Sequence, residues 1–237
     1  MNALTQDLSG PDAVDLATAS LAAARRLASG ATIWCAAPVR AGLANQMAGA
    51  LTARTHDGGP SISAEAVDDP VLDGLRAHAH SGDVVALFAG AGEPAVTGLR
   101  QRAAAWGLLT IWIVQGPRPE AGAADFVLSL GDMTGTSAEE QLLMLTETVA
   151  DQLVEHLKDP GLVAFSEAGC DDEVCITCSD EGRLGEVVLA HPDGRAQVRT
   201  VAGLEIVDTT LVGDTQPGDL VLIHAGSVIS LVEEEAR

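Results

Sequence analysis

Up to Leu157 the chain alternates two kinds of apolar segment, and past Asp159-Pro160-Gly161 only one kind remains. Short continuous runs at 31–37 (ATIWCAA), 83–89 (DVVALFA), 108–114 (LLTIWIV) and 126–130 (FVLSL) have the length and composition of strands buried on both faces. Around them, 12–27, 41–54, 93–106 and 137–157 carry apolar residues at helical spacing. Gly30 is placed to close the first of these helices. Ser137 with Glu140 three positions on forms a capping box for the last. Strands alternating with helices imply right-handed crossovers and a parallel sheet covered on both faces. Residues 1–160 are therefore expected to form a doubly wound α/β domain.

Beyond residue 170 the helical stretches stop. Short strands are expected at 185–190, 195–201, 203–207 and 220–224. Turn signals divide them: His191-Pro192-Asp193-Gly194, Ala202-Gly203 and Gln216-Pro217-Gly218-Asp219. Closely spaced strands with no helix between them suggest a small all-β, OB-like antiparallel barrel over 168–237.

Composition narrows the function. With 47% hydrophobic residues the chain can bury a core. It has 34 Asp+Glu against 13 Lys+Arg, a net charge of -21, one lysine (Lys158) and no tyrosine. Nucleic-acid binding needs a basic footprint and stacking side chains, so it is excluded as the main role. No apolar run reaches the roughly 18 residues of a membrane span. The first nine residues hold Asp7 and no basic residue, unlike a secretory signal, so a cytoplasmic protein is expected. Residues 166–237 carry fifteen Asp+Glu against four Lys+Arg. That balance suits a solvated surface or the steering of a basic partner.

Cys170, Cys175 and Cys178 fall within nine residues, while Cys35 stands apart in an apolar run. Such crowding suits metal or thiol chemistry better than a disulfide framework. Thiolates hold soft metals, and imidazole is a natural companion ligand. The pair Cys175-x-x-Cys178 can also close a redox disulfide or supply half of a zinc site, with Cys170 and either His191 or His224 completing four ligands. Neighbouring Asp171, Asp172, Glu173, Asp180 and Glu181 would raise the thiol pKa by like-charge repulsion.

Cys175-Ile176-Thr177-Cys178 ahead of the first barrel strand, and Gly218-Asp219-Leu220-Val221-Leu222-Ile223-His224-Ala225-Gly226 running toward Glu233-Glu234-Glu235, resemble the HypC/HupF family of [NiFe]-hydrogenase maturation chaperones. The resemblance covers about residues 170–237. It implies a small barrel that carries the iron-dicyano-carbonyl unit, Fe(CN)2CO, between a HypD-like maturation protein and the precursor of the hydrogenase large subunit. A cysteine and a late histidine serve as ligands in that family. Here they correspond to Cys178 first, Cys175 second, and His224.

The order of elements over about 10–157, with 32–35 (TIWC), 82–87 (GDVVAL), 103–107 (AAAWG), 110–113 (TIWI) and 123–128 (AADFVL), resembles the sugar isomerase (SIS) domain of the phosphoheptose isomerase (GmhA) type. That resemblance implies sugar-phosphate binding in two loops rich in Gly, Ser and Thr, and pairing through helices into a homodimer or tetramer. The corresponding loops, 36–42 (AAPVRAG) and 89–94 (AGAGEP), have no Ser or Thr. Pro38 removes a backbone donor and Glu93 adds a negative charge, whereas an anion wants amide and hydroxyl donors. The last helix opens with Glu139, Glu140 and Gln141 and no histidine for acid–base work. The front domain is accordingly expected to be a non-catalytic scaffold, with Arg40 left to meet an anion. A sugar-phosphate-binding or isomerase protein with an accessory barrel is the alternative, and a zinc-stabilised structural or regulatory module is a further one.

The remaining signals read as structural. Trp34, Trp106 and Trp112 are expected in the core, Cys35 as an inert buried thiol, and His56, His78 and His80 in solvent. The segment 89–92 (AGAG) lacks the last glycine of a dinucleotide fingerprint.

Overall fold

A computed structural model describes residues 11–38, 41–56, 61–67, 70–90, 94–114, 125–129, 138–159, 161 and 182–232. The chain divides into two compact units. The first comprises Met1–Val96 with Leu109–Ser166, and the second Thr97–Leu108 with Glu167–Arg237.

In the first unit the elements are α1 (Pro11–Ala28), β1 (Thr32–Ala36), α2 (Ala41–His56), β2 (Ser63–Val67), α3 (Val71–His78), β3 (Val84–Phe88), β4 (Leu109–Val114), β5 (Phe126–Ser129) and α5 (Ala138–Leu157). Helix α4 (Pro94–Trp106) lies between β3 and β4 in sequence. The five strands are all parallel, in the order β2-β1-β3-β4-β5. The expected doubly wound sheet is thus present.

Its central strands are buried on both faces because their alternate residues enter different packing layers. Ile33 and Cys35 of β1, Val84, Ala86 and Phe88 of β3, and Leu109, Ile111 and Ile113 of β4 join one core. Leu16, Ala19 and Ala23 of α1, Met47 and Leu51 of α2, and Val149, Leu153 and Val154 of α5 belong to the same core. Trp34, Val85, Leu87 and Trp112 point to the other face and are also buried. Helix α1 closes as expected: Gly30 adopts φ 91, its N–H donates to Leu27 O, and Ala31 N–H donates to Arg26 O.

Two elements had no counterpart in the sequence reading, β2 and α3. Among the described residues strand β2 is an edge strand paired only with β1, and its alternation of Ala with Ser and Glu lacks a strong apolar signal. Helix α3 has two buried anchors, Val71 and Leu75. Gly74 lets it approach β2, since a Cβ there would stand 2.6 Å from Val67 Cγ1.

The second unit contains β6 (Arg183–His191), β7 (Arg195–Thr200), β8 (Gly203–Asp208), β9 (Leu220–His224) and β10 (Ser227–Val232), closed in the order β10-β8-β7-β6-β9. Antiparallel pairing runs throughout except for a parallel closure of β10 on β8. The fifth strand, β10, extends the expected set. Val187, Ala196, Val198, Val207, Val221, Ile223 and Val228 fill the interior. Gly185 is required there, because a Cβ would strike Val198, Ile223 and Thr200. Among the described residues no helix is long and apolar enough to cross a membrane.

Candidate functional site

The strand order 2-1-3-4-5 places a topological switch between β1 and β3, whose crossovers leave in opposite directions. In open parallel sheets a ligand crevice forms there, outside the carboxyl ends of the strands. The described residues at this position are Ala37 and Pro38 after β1, and Ala89 and Gly90 after β3. Ala37 and Ala89 are buried. Trp112 fixes the end of β3 by donating its Nε1–H to Ala89 O at 3.0 Å. These residues carry no hydroxyl and no charge, so among the described residues at this position only backbone groups can donate or accept hydrogen bonds. Val39, Arg40, Ala91, Gly92 and Glu93 lie outside the described residues. The side chains of Glu139, Glu140 and Gln141 do too.

The opposite, amino edge of the sheet is built from aspartates with structural duties. Asp83 precedes β3 and is 5% exposed. Its Oδ1 accepts from Thr32 N–H at 2.9 Å, and its Oδ2 from Trp34 Nε1–H and His80 N–H at 2.8 Å each. Asp125 does the same between β5 and β4, accepting from the Thr110 amide and hydroxyl at 2.7 and 2.8 Å. Each carboxylate pins the start of one strand to its neighbour, and in Asp83 both oxygens are engaged in doing so.

The expectations for the three tryptophans, Cys35, His78 and His80 are met. All three tryptophans are buried, and each indole N–H has an acceptor. Cys35 is fully buried, which pushes its thiol up to about 12 and leaves it unreactive. His78 and His80 are exposed, with His78 stacked on Trp34 at 6.3 Å between ring centroids. The side chain of His56 lies outside the described residues.

In the second unit His224 ends β9, half-buried, at a two-residue turn in which Ala225 and Gly226 have φ 47 and 79. His191 ends β6 and is exposed. Cys170, Cys175 and Cys178 lie outside the described residues. Among the described residues no cluster of three or more His, Cys, Asp or Glu is arranged to hold a metal ion.

The sequence reading missed a buried polar set in this unit. Glu186 of β6 is 1% exposed, and its Oε1 accepts from Arg102 Nε–H at 3.1 Å. Its Oε2 accepts from Trp106 Nε1–H at 2.9 Å. Arg102 also donates to Gly218 O at 3.1 Å, and the Arg199 guanidinium lies 4.5 Å from the Trp106 ring centroid. Register makes the set possible, because Glu186 and Arg199 face each other across the β6–β7 pair. Arg102 and Trp106, four residues apart, share one helix face. The available signal was a lone carboxylate within the otherwise apolar run GEVVLA.

No family model matches the chain, and no curated protein sequence matches it. Solved structures do. A phosphoheptose isomerase from Francisella tularensis superposes with a TM-score of 0.50 at 14% identity, over 64% of this chain and 90% of that one. A Bacteroides fragilis protein, described as a candidate phosphosugar isomerase involved in capsule formation, gives 0.50 at 16% identity over 69% and 85%. The front unit has the sugar isomerase fold. The likeness extends to the fold alone, and the barrel's resemblance to HypC/HupF has no counterpart among these structures.

Proposed function

We propose that the front unit binds a sugar-phosphate-class ligand at the carboxyl edge of β1 and β3 without isomerising it, and that the barrel is an accessory module. The observation carrying this reading is the sugar isomerase fold itself, with its switch point between those two strands. Binding without turnover follows from the loop sequences. Backbone amides remain to meet an anion, but hydroxyl donors are missing from 36–42 and 89–94, and the last helix lacks an acid–base histidine in its first turn. The test is a thermal-unfolding titration with hexose and heptose phosphates at millimolar concentration. A ligand at 100 times its Kd stabilises the native state by about 2.7 kcal/mol, so the melting temperature should rise while no isomerised product accumulates. An unmoved melting temperature with every sugar phosphate defeats the reading.

A second reading is favoured by the barrel. Its closed five-stranded form, with His224 at the β9–β10 turn, supports the HypC/HupF resemblance. In that reading Cys178 or Cys175, with His224, holds the Fe(CN)2CO unit as cargo for a HypD-like partner and the hydrogenase large-subunit precursor. The front unit then serves as the oligomerisation scaffold. Co-expression with a HypD-type protein should yield cyanide and carbonyl stretches in the infrared that vanish in a Cys175→Ala/Cys178→Ala variant. Bands that persist in that variant would overturn it. One zinc per chain, lost with the same cysteines, would instead favour the zinc-stabilised module.

A further inference from the structure

The ladder of the barrel is not equally complete all the way round. Strand β7 accompanies the whole of β8, from Arg195↔Asp208 to Thr200↔Gly203. On its other side β8 meets β10 at one position, Asp208↔Ser227. Among the described residues, 203–207 therefore have no strand beside them on that side. One antiparallel neighbour satisfies only half of a strand's backbone groups, so the rest of this stretch forms an open edge.

The side chains on that edge favour an added strand. Leu204 and Ile206 face outward and are 61% and 52% exposed, while Val207, on the interior face, is 1% exposed. Natural sheets blunt open edges with lysine, proline or inward-pointing charges; 203–207 has no lysine or proline, and its inward charge is already held by Arg183. The one charged residue, Glu205, stands opposite the core residue Val198 and so turns inward. Its Oε2 accepts from Arg183 at 2.8 Å, and its Oε1 is buried and accepts no hydrogen bond. The edge thus offers unpaired backbone, two outward aliphatic side chains and an inward carboxylate oxygen lacking a donor.

Charge decides the occupant. A second copy would bring together two chains of net charge -21, which disfavours self-pairing. The strand ends in exposed Asp208, and exposed Asp214 follows. We infer that the open edge of β8 receives an extended segment of a basic partner protein as an additional strand. Apolar side chains of that segment lie at alternate positions against Leu204 and Ile206, and intervening Lys or Arg residues face Glu205. Main-chain hydrogen bonds supply affinity in such an arrangement, and the period-two alternation supplies specificity. This inference does not rest on either functional reading above.

The test uses the full chain and a labelled peptide in which Val and Ile alternate with Lys and Arg. Controls are a peptide of the same composition with the two classes in separate blocks, and one with Glu replacing the basic residues. Hydrogen exchange should show fast amides within 203–207 in the free chain and protection there with the alternating peptide. Binding should weaken with salt. It should also weaken about tenfold or more in Leu204→Lys/Ile206→Lys, and less in Glu205→Gln. Three results would each overturn the proposal: 203–207 protected in the free chain at every concentration, meaning that its own chain covers the edge; protection that disappears on dilution, meaning a second copy; or equal binding of the blocked or acidic peptide. The wild-type exchange pattern is decisive by itself, so a variant that fails to fold does not blunt the test.

Discussion

The sheet of the front unit and the barrel of the second bury their strands by different means. In the sheet, β1, β3 and β4 send large aliphatic and aromatic side chains to both faces, and the carboxylates Asp83 and Asp125 are confined to its amino edge. In the barrel, seven aliphatic side chains among the described residues fill a narrow interior that needs a glycine at position 185, and a carboxylate, Glu186, is buried on the outside of a central strand. A wide core has material to spare and relegates polar groups to its margins. A narrow one is supplemented by a charged cluster whose members must all be satisfied together.

This contrast is most exposed to test at Glu186. Glu186→Ala strands the buried Arg102 guanidinium and the Trp106 N–H, and should destabilise the second unit by about 4 kcal/mol. Urea unfolding followed by barrel-specific amide exchange measures it, and a loss below about 1 kcal/mol would place the barrel's stability elsewhere. In the sheet, Asp83→Ala removes the acceptor of three N–H donors and should cost about 3 kcal/mol, read as a lower urea midpoint for the first unit. Next come two glycines with opposite expected signs. Gly185→Ala overpacks the barrel and should destabilise by about 2 kcal/mol. Gly49→Ala lies on an exposed position of α2 with open space around it and should stabilise by about 1 kcal/mol. If Gly185→Ala proves neutral, the interior is looser than its contacts imply. The smallest effect belongs to the β9–β10 turn. There Ala225→Asn relieves a left-handed alanine in front of Gly226 and should raise stability by about 0.5–1 kcal/mol, visible as a small rise in melting temperature.

Much of the fold was legible because its signals are local. The runs at 83–89 and 108–114 are apolar without interruption, which identifies strands covered on both sides before any partner is known. Gly30, followed by a β-rich run, marked the end of α1. The edge strand β2 was not legible, because a strand with one neighbour and one covered face carries alternating Ala, Ser and Glu in place of a hydrophobic block. The candidate site was only half legible. The missing hydroxyls of the two loops are plain in the sequence, whereas the crevice itself arises from the order in which strands lie side by side.

By itself the amino-acid sequence determined the division into a helix-and-strand part and an all-strand part, because hydrophobic period and turn chemistry act over a few residues. Tertiary structure alone decided which distant polar groups meet. Asp83 finds Thr32 across 51 residues, and Arg102 finds Glu186 across 84. It also decided that 97–108 groups with the barrel and that β8 keeps an open edge. A buried charge is tolerable only where chain closure has already brought its counterpart within hydrogen-bonding distance, and no local pattern encodes that meeting.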